Sequence, residues 1–109
     1  MTEVQKQKID IKNLAVLFID VQTRVAAAMK PEVKDLLVKN ARTLALAAGE
    51  LGFPIVLTEQ YSKGLGSTMD ELKEVLPVYK PIEKIQFNCC EEPGFMKVLE
   101  ETGVKQVIL

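Results

Sequence analysis

A chain of 109 residues, 48% hydrophobic and 27% charged, suits one globular domain or part of one, with a real core. Its 14 basic and 15 acidic residues are interspersed and leave a net charge of -1, so there is no basic stripe for nucleic acid and no acidic arm. There is no histidine, which excludes a Ser-His or Cys-His catalytic pair and any His-based metal site within these residues.

The polar opening, Met1–Asp10, lacks the apolar stretch of a signal peptide. Leu14–Ile19 is a continuous apolar run ending at Asp20, as expected of a strand buried on both faces of a parallel sheet and far too short to span a bilayer. Pro31 then opens a long helix in which Val33, Leu37, Ala41, Leu44, Ala48 and Leu51 recur at helical spacing, with Gly52 as its stop and Pro54 beyond. Ile55–Thr58 reads as a second strand, followed by a polar loop from Glu59 to Ser67 that contains Gly64 and Gly66. Thr68-Met69-Asp70-Glu71 matches a capping box and predicts a short helix that Pro77 ends.

Ile82–Phe87 is the predicted third strand, with Ile85 and Phe87 on one face and Lys84 and Gln86 on the other. Pro93 suits the first turn of a helix that carries Phe95, Leu99 and Thr102 on one face and closes at Gly103. Val104–Leu109 is a fourth strand. The alternation predicts an α/β fold in three layers, α/β/α, around a parallel Rossmann-like sheet with right-handed crossovers. A hydrophobic parallel strand normally precedes a covering helix, so residues 1–109 are expected to be the N-terminal part of a single domain, cut after the fourth strand; completion by another chain is the alternative.

Sites in open α/β sheets lie beyond the carboxyl ends of the strands. Asp20 stands at such an end, though an Asp there also suits a turn or helix cap. Lys84 has apolar flanks, and its burial would be costly unless an Asp on a neighbouring strand paired it; an exposed edge lysine is the plainer reading. Gln60 and Tyr61 could hydrogen-bond or stack on a substrate, or belong to an ordinary surface loop. Gly64-x-Gly66 lacks the third glycine of a dinucleotide fingerprint. Cys89 and Cys90, the only two cysteines, are adjacent, which strains a mutual disulfide and favours a reduced, cytoplasmic setting. Packing is their expected role, with a redox or nucleophilic role as the alternative.

Taken in order, these segments resemble the isochorismatase-like cysteine hydrolases. Ala15-Val16-Leu17-Phe18-Ile19-Asp20-Val21-Gln22 resembles the family's opening strand with its terminal Asp-x-Gln. Leu57-Thr58-Glu59-Gln60-Tyr61, with Lys63-Gly64-Leu65-Gly66 and Thr68, resembles the branch of isochorismatase domain-containing proteins. Glu83-Lys84 with Phe87 resembles the lysine segment, and Val104–Leu109 the strand leading into the nucleophile turn. The resemblance implies a Cys-Asp-Lys hydrolysis of an amide-like C–N bond in a small molecule, with Asp20 as general base and Lys84 as its partner. Gln22, Gln60, Tyr61 and Phe87 would contact substrate.

The family's cysteine follows the strand that ends at Leu109, so neither Cys89 nor Cys90 matches it. Glu59-Gln60-Tyr61 stands where nicotinamidase relatives carry a histidine metal site, so no metal is expected, and no cofactor. No nucleic-acid or membrane partner is expected, and the family implies a homo-oligomer. Two other readings stay open: a non-catalytic binding or assembly domain, and hydrolysis of a vinyl ether through the aspartate without a cysteine.

Overall fold

The computed structural model describes residues 8–109; most of the opening stretch read for a signal peptide lies outside the described residues. The elements are β1 (Leu14–Ile19), α1 (Thr23–Ala27), α2 (Pro31–Leu51), β2 (Ile55–Gln60), α3 (Ser62–Leu65), α4 (Asp70–Lys73), β3 (Ile82–Lys84), a 3-10 turn at Cys89–Glu91, α5 (Pro93–Thr102) and β4 (Gln106–Ile108). The four strands pair in parallel in the order β3-β2-β1-β4.

The apolar run of β1 is buried from both sides because successive residues face opposite layers. Val16 and Phe18, with Leu57 of β2, pack against Ala41, Ala45 and Ala48 of α2 and Leu72 of α4. Ala15 and Leu17, with Val56, pack against Cys89 and Phe95 on the opposite side, where α5 lies. The result is the predicted three-layer α/β/α arrangement. Three alanines along one face of α2 leave no bulk between helix and sheet. Gly52 takes the left-handed conformation (φ 75) that lets α2 end without steric cost. Among the described residues no helix is long and apolar enough to cross a membrane.

Several boundaries differ from the sequence reading. β2 continues through Glu59 and Gln60, which the sequence places in a loop. β3 stops at Lys84, so the expected alternation through Phe87 does not persist: the chain bends, and the carbonyls of Gln86 and Phe87 turn toward the Lys84 ammonium at 3.0 and 3.4 Å. The capping box does not form. The Thr68 hydroxyl and amide both donate to Glu59 Oε2 at 2.8 Å, and α4 starts after Met69 with no side-chain cap. A buried carboxylate is the stronger acceptor, and it wins Thr68 from the helix end.

Candidate active site

At the carboxyl end of β1 the backbone of Asp20 turns into the left-handed region, φ 59, a conformation Asp tolerates better than most residues. Asp20 caps no helix: α1 begins after Gln22, which supplies no side-chain cap either. The Asp20 carboxylate instead faces the sheet end. Its Oδ1 accepts from the Thr58 hydroxyl at 2.8 Å and its Oδ2 from Lys84 Nζ at 3.0 Å.

Lys84 comes from β3, two strands away, rather than from a neighbouring strand. It lies opposite Gln60 in the β2–β3 register, and its side chain passes the end of β2 to reach Asp20. The residue is only 2% exposed although it stands on an edge strand. Desolvating an ammonium is costly, and here its donors are met by Asp20 Oδ2, by Gln60 Oε1 at 2.8 Å and by the Gln86 carbonyl. The two ends of the pair differ in access: the Lys84 side chain is 0% exposed and that of Asp20 25%. Solvent, or a reacting group, meets the carboxylate and not the amine.

Gln60 is buried, with its amide nitrogen donating to the Ile85 carbonyl at 2.7 Å and its oxygen held by Lys84. Gln22 is 0% exposed. Its amide nitrogen donates to the Gln60 and Gly66 carbonyls at 2.9 and 2.7 Å, and its oxygen accepts from the Gln60 N–H at 2.6 Å. This one side chain ties the end of β2 to the loop that follows. Tyr61 opens that loop in the left-handed region (φ 39) and is exposed. A β-carbon at Gly64 would collide with the Tyr61 ring, so glycine there allows the ring to lie against the loop backbone. Phe87 is 90% exposed beyond β3.

Glu59 points to the opposite face of β2 and anchors the excursion between β2 and β3. Its Oε2 accepts from Thr68 and from the Tyr79 hydroxyl, while Lys73 Nζ lies 4.7 Å from the Tyr79 ring centroid. Burial pushes the Glu59 carboxyl up, but the hydrogen bonds from Tyr79 and Thr68 and the charge of Lys73 outweigh it and hold the group below its ordinary value. Burial first, and then the same contact with Glu59, pushes the Tyr79 phenol up to about 12.

The two cysteines part company. Cys89 is buried in the core beneath α5, and Cys90 is exposed. Burial raises the Cys89 thiol, Lys84 opposes that and Asp20 adds to it. Two contributors escaped the sequence reading as site residues, Thr58 and Glu59. The available signal was their polarity at the end of an otherwise apolar strand, level with Asp20. Chemically, the cluster offers a fixed, partly open carboxylate able to take a proton, backed by a cation sealed from solvent.

A model of the isochorismatase domain family matches residues 14–109. The structure of MAR1 ribonuclease from Caenorhabditis elegans is 36% identical, with a TM-score of 0.80 over 94% of this chain and 51% of that one. YcaC from Pseudomonas aeruginosa, determined with hexane-2,5-diol and covalent acrylamide, is 29% identical, with a TM-score of 0.73 over 93% of this chain and 51% of that one. The Escherichia coli YcaC gene product, described as an octameric hydrolase of unknown specificity, is 26% identical, with a TM-score of 0.77 over 93% of this chain and 50% of that one. The chain therefore spans about half the length of these relatives.

Proposed function

The chain belongs to the isochorismatase family, and from that premise we propose that it carries the aspartate and lysine of a hydrolase that cleaves an amide-like C–N bond of a small molecule. The observation that carries this reading is the Asp20–Lys84 pair, 3.0 Å apart at the carboxyl end of the sheet, with the carboxylate open and the amine closed. Asp20 takes the proton of a cysteine thiol that lies outside residues 1–109. The thiolate attacks the carbonyl carbon, backbone N–H groups hold the oxyanion, and the amine leaves with a proton. Water then releases the acid from the acyl-enzyme. Lys84 keeps the carboxylate oriented and does not touch substrate.

Tyr61 and Phe87, both exposed, provide the direct substrate contacts in this reading. Gln22 and Gln60 contribute to recognition through the loop and the ammonium that they hold. The reaction uses no cofactor and no metal. A homo-oligomer is proposed by analogy with the octameric relative, and a cytoplasmic location from the two free cysteines.

A second reading, cleavage of RNA, is favoured by the 36% identity to a protein named as a ribonuclease. The interspersed charge of this chain and its lack of histidine weigh against it. The test is a panel of small primary amides, a vinyl ether and an RNA oligonucleotide presented to the purified protein. The proposal expects ammonia release from at least one amide, absent with Asp20→Asn. Strand scission of the RNA with every amide inert would favour the second reading. Loss of the vinyl ether alone would point to hydrolysis without a cysteine.

A further inference from the structure

We infer that Thr58 is a positioning residue whose hydroxyl clamps Asp20 in the orientation in which its carboxylate meets Lys84. This rests on the reading of Asp20 as the general base. Thr58 stands opposite Ile19 in the β1–β2 register, one residue before the chain turns. The Asp20 amide N–H is shared between the Thr58 carbonyl, which continues the ladder, and Thr58 Oγ1, each at 3.2 Å, and the hydroxyl donates in turn to Asp20 Oδ1 at 2.8 Å. The ladder bond by itself holds the backbone. What the hydroxyl adds is a hold on the plane of the carboxylate. With Oδ1 occupied, Oδ2 is the oxygen presented to Lys84 Nζ at 3.0 Å.

Strand formation does not need this hydroxyl. Thr58 is 0% exposed and follows Ile55, Val56 and Leu57 in β2, where valine would match its shape and spare the desolvation of a polar group. The hydrogen bonds to Asp20 offset that desolvation. Gln60, two residues on and on the same face of β2, holds the other end of the pair through Lys84 Nζ at 2.8 Å. The strand between the two charged residues therefore grips both of them.

The experiment reads the pair directly, without substrate. In nitrogen- and carbon-labelled protein, a scalar coupling across the hydrogen bond between Lys84 Nζ and the Asp20 carboxyl carbon reports a fixed ion pair. Wild type and Thr58→Ser, which keeps a hydroxyl, show the coupling. Thr58→Val loses it while its amide spectrum remains that of the folded protein, and Thr58→Ala, which removes the same hydroxyl with less bulk, loses it too. A purely structural role would lower the melting temperature of the folded variants and leave the coupling in place. Folded Thr58→Val or Thr58→Ala with the wild-type coupling, or a wild type without any, overturns the inference. Whether Asp20 serves as base is decided separately, by the turnover of Asp20→Asn.

Discussion

Lys84 Nζ lies 3.0 Å from Asp20 Oδ2 although a whole strand, β2, separates the strands that carry them. The ion pair is asymmetric, because water reaches the carboxylate and not the ammonium. Removing one partner of a fully buried pair costs about 3–5 kcal/mol, since the other charge is stranded. Asp20→Asn strands the buried cation, with Gln60 and the Gln86 carbonyl still solvating it. It should cost on the order of 2–3 kcal/mol. Lys84→Met leaves a carboxylate that water and Thr58 can serve, but it takes the donor from the buried Gln60 Oε1 and the Gln86 carbonyl, and should also cost about 2–3 kcal/mol. Urea unfolding of the two variants checks both figures; a folded Asp20→Asn protein of wild-type stability would contradict an ammonium that depends on the carboxylate.

The Glu59–Tyr79 contact predicts a pH dependence at both extremes. The Glu59 carboxyl is depressed below 4.5, so its stabilisation is present above that value and is lost as pH falls through the depressed one. The Tyr79 phenol is raised from 10.0 to about 12, so its share is complete below 10.0 and is lost as pH rises through about 12. In a Tyr61→Phe protein, Tyr79 is the remaining tyrosine of this chain, and its phenolate absorbance should titrate near 12. Adding Glu59→Gln should bring the midpoint down toward 10.0. A midpoint indifferent to Glu59 would mean that the hydroxyl and carboxylate do not meet.

The adjacent cysteines should differ sharply in reactivity. Cys90 is exposed, whereas Cys89 is buried and its thiol raised, which lowers the thiolate fraction at neutral pH. Followed site by site by peptide mass, alkylation at Cys90 should be fast and alkylation at Cys89 slow until denaturant is added. Equal rates would refute the buried placement of Cys89.

Gln22→Ala removes three hydrogen bonds at once, two of them buried, and leaves the Gln60 N–H and the Gly66 carbonyl without this partner. The cost should be roughly 2–4 kcal/mol, combining lost bonds with the cavity left behind. Hydrogen exchange locates the effect: the Gln60 amide should exchange faster in the variant, while amides inside β1 follow only the global loss of stability. Unchanged exchange at Gln60 would remove Gln22 as the tie between β2 and its loop.

The buried strands and the two long helices were legible because their signals are dense: six apolar residues in β1, helical spacing and a terminal glycine in α2. Asp20 and Lys84 stood out as charges in apolar surroundings. The family resemblance implied that they pair, and the residues suggested an Asp on a neighbouring strand; the strand order β3-β2-β1 instead puts a third strand between them, and only the folded sheet shows that Lys84 is long enough to pass it. Thr58 was hidden by its own suitability for a strand: a β-branched residue at the end of an apolar run needs no further explanation. Thr68 misled for the opposite reason. Its local motif was a good helix cap, and a buried glutamate nine residues earlier in the chain outcompeted the helix end for it. The bend after Lys84 is likewise set by the ammonium's need for carbonyl partners, which the pattern of residues 82–87 does not encode.

The central claim is that Asp20 is the base of a hydrolytic site, and turnover of a responsive amide by wild type and Asp20→Asn tests it most directly. Circular dichroism serves to establish that the variant is folded under the assay conditions. A positioned general base contributes about 10²–10⁴-fold, so kcat/KM should fall by that order in Asp20→Asn, with the loss chiefly in kcat. A folded Asp20→Asn protein that turns over at the wild-type rate would contradict the account.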